Sequence, residues 1–298
     1  SNLHISEIIK EITKNLGNLS KITVNRDLVL LIKQNFVKRE GKGKALYYYL
    51  SPHYNLIKEI IVSDYFKIET DIRVAQERFN FEIFSFLKDI FTAEEKKVLD
   101  ILNKQYQNNL RRFSETIIKK EMERLIIEFS WKSSQIEGNT YTLLETEILI
   151  KENKEAKGHK KKEAIMILDH KKALEFILKN KKEFKNLSVN KIEHIHSIIT
   201  LGLGIPKNIR KTPVGVTGTK YKPLDNEWQI KEALEKACEL INKEENIFIK
   251  SIICSIMIAY IQPFADGNKR TARMLSNAIL IAYDFPLLSY RNVDVNEY

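Results

Sequence analysis

Cysteine, glycine and proline are scarce in this chain of 298 residues, which has 2 Cys, 10 Gly and 6 Pro. Two cysteines do not make a disulfide framework, and Cys238 and Cys254 cannot by themselves form a four-ligand zinc site. Few glycines and prolines beside abundant Leu, Ile, Lys and Glu favour a mainly α-helical protein without long linkers.

The chain also lacks a long apolar run. Its most apolar stretch, residues 252–261, is too short to cross a bilayer, and its opening residues do not resemble a secretory signal. These absences predict a cytoplasmic protein with no membrane partner. The net charge of +10 indicates either a solubilising surface or a polyanionic partner.

Residues 1–62 form one compositional block that begins with two predicted helices. An isoleucine-rich stretch near the start has helical spacing, and a polar turn follows it. The second helix is predicted over residues 21–34, with Val24, Leu28 and Leu31 on its inner face.

A basic hairpin follows these helices, with strands favoured over 36–40 and 45–50 around a Gly-Lys turn. The order helix, turn, helix, hairpin resembles a winged helix-turn-helix, which implies DNA binding through base edges and phosphates. That family has a further helix before the pair, which is not found here, and a helical-hairpin interaction module is the alternative. The residues expected to contact DNA are Thr23, Asn25, Arg26, Lys42 and Lys44.

Residues 63–120 have an amphipathic helical pattern with several phenylalanines that are expected to pack. We expect a helical connector here, which either joins the two ends of the chain or supports a homo-oligomer interface. Residues 121–298 form the third part of the chain and carry the candidate chemistry.

The most informative pattern in that third part is an apolar helix, a tight loop and a second helix. The first helix is apolar on every face, which is typical of a central buried helix. It is predicted to end near Ile261, because the next residue precedes Pro263 and is pushed out of the α region. The second helix is predicted to begin at Asn268, with Gly267 or Asn268 as its N-cap.

Three cations stand in the first turns of this second helix, where the helix dipole disfavours them: Lys269, Arg270 and Arg273. A bound anion removes the conflict, since free N–H groups at a helix start and two arginines on one face can hold a polyphosphate. Asp266 would repel a phosphate unless Mg²⁺ bridges the two. The residues alone therefore predict either a Mg-nucleotide site or a solvated basic surface.

Residues 262–273 read Gln-Pro-Phe-Ala-Asp-Gly-Asn-Lys-Arg-Thr-Ala-Arg. They resemble the Fic signature His-Pro-Phe-x-Asp-Gly-Asn-x-Arg-x-x-Arg at every signature position except the first. Residues 121–298 are thus similar to a Fic domain, a helical bundle with a small β-hairpin flap. Fic domains move AMP from ATP onto a protein hydroxyl.

The resemblance implies a role for each residue of this core motif. Asp266 would bind Mg²⁺, and the backbone amides of Gly267, Asn268 and Lys269 would form an anion hole. Arg270 would contact the β-phosphate of ATP, and Arg273 would contact its γ-phosphate. Position 262 should hold the general base that takes the proton from a Ser, Thr or Tyr hydroxyl of the target.

Two upstream segments extend the resemblance. Ser133, Glu137 and Gly138 match the family's inhibitory motif, near the end of a helix predicted over 121–138, which implies that Glu137 pairs with Arg273. Residues 209–223 resemble the flap, predicted as two short strands around a Gly turn that hold a target segment by strand addition. The flap residues expected to bind the target are Thr217, Gly218, Thr219 and Tyr221.

Glutamine at position 262 is the one departure from the signature. Its amide has no basic nitrogen near neutral pH, so nucleotide binding should persist while transfer falls. His194 and His196 face different directions on a predicted helix, and both are expected to pack in the core. Whether Gln262 is natural or an inactivating change stays open.

Three hypotheses on the function follow. The first is an autoinhibited protein adenylyltransferase that acts on a protein partner or on itself, with transfer impaired by Gln262. The second is a nucleotide-sensing, DNA-binding regulator whose Fic domain is a pseudoenzyme. The third is an interaction scaffold that uses the Fic fold only to dimerise.

Overall fold

The structure is a computed structural model, and it describes residues 2–51, 54, 58, 61–73, 76–87 and 90–294. These residues are mainly helical and carry one small antiparallel sheet near the N-terminus. Within the described ranges, no helix has the length and apolar character that a membrane span needs.

The N-terminal part combines two helices with three short strands. In the sheet, whose strand order is β1-β3-β2, both neighbouring pairs are antiparallel. The elements are β1 (Leu3–His4), α1 (Ile5–Leu16), α2 (Lys21–Lys33), β2 (Val37–Glu40) and β3 (Tyr47–Leu50).

This part has a core of its own, formed by Val24, Leu28, Val37 and Tyr48, and Leu31 packs against it. The predicted inner face of α2 is confirmed. The helix begins at Lys21 because the Ser20 hydroxyl accepts a hydrogen bond from the Thr23 N–H at 3.1 Å. The sequence did not predict β1, since two residues are too few to show an alternating pattern.

The middle of the chain is helical only in part. Its helices are α3 (Val62–Lys67), α4 (Ile83–Phe86) and α5 (Ala93–Leu110). Of the residues between α3 and α4, 76–80 do not form a helix, and Phe79 packs partly buried against the main core. These residues do not form the helix predicted for the connector, because they bond to the flap, which is distant in sequence.

The remaining described residues form a helical bundle. Its elements are α6 (Glu115–Gln135), α7 (Leu143–Glu152), α8 (Lys161–Lys179), α9 (Val189–Ile199), α10 (Glu227–Lys243), α11 (Ile247–Ile261) and α12 (Asn268–Ala282). The bundle is arranged around α11. The end of α11 at Ile261 and the start of α12 at Asn268 are as predicted. Helix α6 begins earlier than the predicted 121, because Ser114 caps it by accepting a bond from the Ile117 N–H at 3.4 Å.

Helices α11 and α12 lie against each other at the centre of the bundle. The side chains of Ile253, Met257 and Leu275 are fully buried between their neighbours. Most of α11 is buried, as expected for the central helix that its composition predicts, but Ile256 is 43 % exposed and marks a face open to solvent. This packing fixes the loop between the two helices, which carries the core motif.

Candidate functional site

The loop between α11 and α12 is clamped by the side chain of Asn268. Its Oδ1 accepts a hydrogen bond from the Phe264 N–H at 2.8 Å, and its Nδ2 donates to the Phe264 carbonyl at 2.8 Å. The Phe264 ring is fully buried and anchors the loop in the core. The backbone between these two residues is therefore held in one conformation.

His196 supports the same loop from α9. Its ring stacks on Phe264, with centroids 3.7 Å apart and an interplanar angle of 6°. Its Nε2 lies 2.9 Å from the Asp266 carbonyl oxygen, where it can donate a hydrogen bond. Core packing was the predicted role of His196, and the sequence carries no signal for this contact with the motif loop. His194 is exposed and its ring meets Phe176 edge-on at 4.8 Å between centroids, so its predicted place in the core is wrong.

Gly267 is required where α12 begins. Its φ is +81°, and a Cβ placed there would lie 3.1 Å from Thr200 Cγ2 and 3.4 Å from Arg270 Nη2. As the N-cap residue, Gly267 provides no side chain to bond the first N–H groups of α12. The positive end of the helix is thus left to interact with an anion.

Arg270 reinforces this positive site. Its side chain is 2 % exposed, and among the described residues its Nη1 has no hydrogen-bond partner. Burial lowers the pKa of the Arg270 guanidinium. The Asp266 carboxylate is exposed and lies 3.5 Å from Arg270 Nη2. A buried guanidinium with an unused N–H is the arrangement that a phosphate oxygen would complete.

Arg273 joins α12 to the end of α6. Its Nε donates to Ser133 Oγ and its Nη2 to the Ser133 carbonyl, both at 2.9 Å. The same Nη2 donates to Glu137 Oε1 at 2.7 Å, in an ion pair whose arginine is fully buried. Gly138, at φ +87°, ends the helix so that the Glu137 side chain reaches Arg273.

His170 on α8 completes the support of Arg273. Its Nδ1 donates to the Met166 carbonyl at 2.7 Å, so its Nε2 accepts from the Ser133 hydroxyl at 3.0 Å. Burial, with nearby Arg270 as the next cause, lowers the pKa of His170 from 6.5 to about 3. A neutral ring is thus retained at neutral pH, and it holds Ser133 in position to accept from Arg273.

The depressed pKa of His170 predicts how stability depends on pH. Between pH 6.5 and about 3 the unfolded chain binds a proton at this ring that the folded chain does not. The free energy of unfolding should therefore fall on acidification below about pH 6.5, by up to about 1.4 kcal/mol per pH unit for this group. His170→Gln should flatten that dependence in denaturant titrations at several pH values.

The matched control is His194→Gln, because that histidine is exposed. It removes an imidazole without touching the contact between His170 and Ser133, so the difference between the two variants isolates His170. Equal slopes for the two variants would show that His170 does not contribute the predicted proton linkage.

Gln262 occupies the C-cap of α11 in the left-handed region, with φ +52°. Its Nε2 donates to the Ala259 carbonyl at 2.6 Å, which is one of the carbonyls left without a partner at the helix end. Its own carbonyl accepts from Arg210 Nε at 2.7 Å. The glutamine amide therefore caps the helix, and it carries no basic nitrogen.

The flap (residues 209–223) is attached to this loop at its base. The Arg210 N–H donates to the Pro263 carbonyl at 2.9 Å, and the Thr219 N–H donates to Val216 at 3.2 Å in the predicted turn. The two predicted strands do not pair with each other in the described structure. Their backbone groups bond elsewhere, as shown by Lys222, whose N–H donates to the Glu77 carbonyl at 2.7 Å.

The structure thus brings the core motif, the inhibitory motif and the flap base together.

The residues predicted to contact DNA lie apart in sequence, in the N-terminal part. Arg26 and Lys42 are exposed and Asn25 is half-buried, whereas the Thr23 hydroxyl lies 2.9 Å from Ser20 Oγ at the start of α2. The Lys44 side chain lies outside the described part of the structure.

Comparison with known families agrees with this geometry. Residues 186–280 match the Fic/DOC family, and this range contains α9, the flap and the whole core motif. This part of the chain is therefore similar to the Fic/DOC family. The curated proteins that it resembles are named protein adenylyltransferases.

One of these relatives is the protein adenylyltransferase Fic of Nematostella vectensis. It is 30% identical over 192 residues, which are 61% of this chain and 43% of the relative. Another is the protein adenylyltransferase fic-1 of Caenorhabditis elegans, 28% identical over 180 residues, or 57% of this chain and 35% of the relative. The chain spans less than half the length of these curated relatives.

Two solved structures share the fold. A fragment of Fic-1 from C. elegans superimposes with a TM-score of 0.56 at 21% identity, covering 66% of this chain and 59% of that one. A Fic domain containing signaling protein from Bacteroides thetaiotaomicron gives a TM-score of 0.54 at 20% identity, covering 61% and 71%. At these identities the likeness shows that the bundle has the Fic fold.

Proposed function

We propose that this chain is a Fic-family protein adenylyltransferase that binds Mg-ATP and whose transfer step is impaired by Gln262. Its target would be a Ser, Thr or Tyr hydroxyl of a protein partner or of the chain itself. The observation that carries the proposal is the buried pair Arg270 and Arg273 at the open N-terminus of α12. Such a site suits a polyphosphate.

Each element of the site has a role in holding the nucleotide. The N–H groups at the start of α12 would bind phosphate oxygens, and the unused Nη1 of Arg270 would donate to the β-phosphate. No group of three or more His, Cys, Asp or Glu side chains suited to a metal is found in the described ranges. An exposed single carboxylate, Asp266, nevertheless fits Mg²⁺, which takes its other ligands from phosphates and water. Bound there, Mg²⁺ would neutralise phosphate charge.

The transfer step needs a proton acceptor, which glutamine does not provide at position 262. The hydroxyl oxygen of the target would bond to the α-phosphorus of ATP while the bond from that phosphorus to the bridging β-oxygen breaks, so that pyrophosphate leaves. The hydroxyl proton must then go to a base near position 262. The Gln262 amide is not basic, and its Nε2 already donates to the Ala259 carbonyl.

Glu137 is proposed as a second restraint on the reaction. Its carboxylate occupies Arg273 Nη2 at 2.7 Å, and that guanidinium is the proposed partner of the γ-phosphate. The carboxylate also places a negative charge where the phosphate would lie. A productive ATP pose thus requires Glu137 to move away from Arg273.

Removal of the Glu137 side chain should therefore strengthen ATP binding. For Glu137→Gly we expect the Kd of ATP, measured by isothermal titration calorimetry, to fall about tenfold, which is about 1.4 kcal/mol. The effect on AMP should be smaller, because AMP has no γ-phosphate. Glu123→Gln is the matched control, since it removes one negative charge from the exposed face of α6, the helix that ends shortly before Glu137. An unchanged ATP affinity in Glu137→Gly would contradict the inhibitory role.

A second candidate function is DNA binding by the N-terminal part. It is favoured by the strand order β1-β3-β2 around the α1–α2 pair, together with the exposed cations Arg26 and Lys42. In this geometry α2 would enter the major groove and the β2–β3 turn would lie on the phosphates. The DNA-binding surface would then lie in the N-terminal part, separate in sequence from the nucleotide site.

Gel shifts at a series of salt concentrations test the DNA proposal. The affinity for DNA should fall steeply as the salt concentration rises. Lys42→Ala should reduce the number of counterions released on binding, read from this slope, by about one. Lys119→Ala, which changes an exposed lysine on α6, should leave it unchanged. Binding that does not respond to salt or to Lys42→Ala would rule out this interface.

A further inference from the structure

Another part of the same chain lies along one end of the flap. The Lys222 N–H donates to the Glu77 carbonyl at 2.7 Å, and Arg78 and Lys222 form a parallel β-bridge. Arg73 Nη1 adds a bond to the Gly218 carbonyl at 3.1 Å. These contacts are the start of a strand addition on residues 218–222, which we call the flap edge.

An aromatic contact anchors this segment beside the core motif. The Phe79 ring stacks with the Tyr260 ring, with centroids 4.7 Å apart and an angle of 26°. The Asn80 N–H donates to the Tyr260 hydroxyl at 3.0 Å. Tyr260 lies in the last turn of α11, two residues before Gln262, so the segment passes close to the position where a target hydroxyl would react.

The flap itself contributes to the same contact. Tyr221 stacks with Tyr260 at 4.9 Å and donates from its hydroxyl to the Tyr260 carbonyl at 2.7 Å. The flap edge and Tyr260 are therefore one surface, with a backbone donor at Lys222 and an aromatic platform. Backbone groups that accept a strand and a nearby site for one side chain are the two parts of a peptide-binding site.

Residues 76–80 make few contacts with the flap edge and Tyr260. Gln76, Glu77 and Arg78 have exposed side chains, and only Phe79 and Asn80 are half-buried. None of the residues 76–80 carries a hydroxyl group. The segment can therefore occupy the site, but it cannot accept AMP there.

We infer that residues 76–80 are a built-in occupant of the flap edge, the surface on which the proposed function places a target segment, and that Tyr260 adds a site for an aromatic side chain there. A target must displace this occupant and place its own aromatic residue on Tyr260. This inference rests on the proposed function in one respect, because that function makes the bound segment a target of AMP transfer. The binding site itself does not depend on transfer.

The test uses a fluorescent synthetic peptide of residues 73–82 and the full chain without nucleotide. A tethered segment competes at an effective concentration of about millimolar, so the wild-type chain should bind the peptide weakly. Phe79→Ala should release the segment and lower the Kd of the peptide at least tenfold in fluorescence anisotropy. A peptide with Ala in place of its Phe79 should not bind to this variant. Phe113→Ala changes an exposed phenylalanine elsewhere in the chain and should behave as the wild type does.

A second variant and a second measurement guard against a folding defect. Asn80→Pro removes the N–H that donates to Tyr260 and leaves the Phe79 side chain in place. It should also increase peptide binding, and amide exchange at Lys222 should become faster in both variants while α11 and α12 keep their protection. Equal peptide affinity in the wild type and both variants would overturn the inference. Because no ATP is present, an inactive transferase would not affect this result.

Discussion

Replacing Gln262 by histidine, in a chain that also carries Glu137→Gly, is expected to raise the rate of AMP transfer by about 10²–10⁴, the usual contribution of a general base. The proposed phosphate-binding residues Arg270 and Arg273 are already held, buried, on one helix. The missing group is the one that takes the hydroxyl proton. An imidazole is partly neutral near pH 7 and can accept it.

The backbone at position 262 permits this change. Its φ of +52° lies in the left-handed region, which histidine and asparagine visit more readily than most other residues. Gln262→Asn is therefore the matched control, because asparagine fits the same backbone and has no basic nitrogen. Incorporation of ATP labelled on its α-phosphate into protein should rise for histidine alone. Equal labelling by both variants would show that the proton acceptor lies elsewhere.

Arg270→Ala is expected to weaken ATP binding by about 10–100-fold, as the loss of a charged hydrogen bond to phosphate of about 1.5–3 kcal/mol implies. The side chain is 2 % exposed and its Nη1 has no other hydrogen-bond partner in the described ranges. This unpaired N–H is the one that we assign to the ligand. The Kd of ATP by calorimetry measures the effect.

Lys269→Ala is the control for this prediction, because it removes a neighbouring cation that is exposed. It should change ATP affinity by less than about threefold at 0.15 M salt, where surface charges are well screened. Circular dichroism should confirm that Arg270→Ala keeps its helices. Similar losses for both variants would mean that net charge, and not the buried guanidinium, attracts the nucleotide.

Much of the core motif could be predicted from local rules. Proline after Gln262 ends α11, Gly267 starts α12, and three cations at a helix N-terminus indicate an anion. Each of these signals lies within a few residues of the feature it predicts. The same holds for the N-terminal part, where the inner face of α2 follows from helical spacing alone.

Contacts between distant residues could not be predicted in this way. Ser133 and His170 support Arg273 from helices far along the chain, and Ser133 is 140 residues from its arginine. Helical spacing in the connector predicted a helix, but residues 76–80 pair with the flap. Local propensity was overridden there because the flap offers a backbone donor and Tyr260 offers a stacking partner.

The ATP affinity and AMP labelling of two chains that differ only at residue 262 test the central claim most directly. Both chains should carry Glu137→Gly, and one should also carry Gln262→His. We predict ATP dissociation constants within about twofold of each other, and AMP on protein only in the chain with histidine. Failure of both chains to bind ATP, or equal labelling by both, would contradict the account of an intact nucleotide site that lacks its proton acceptor.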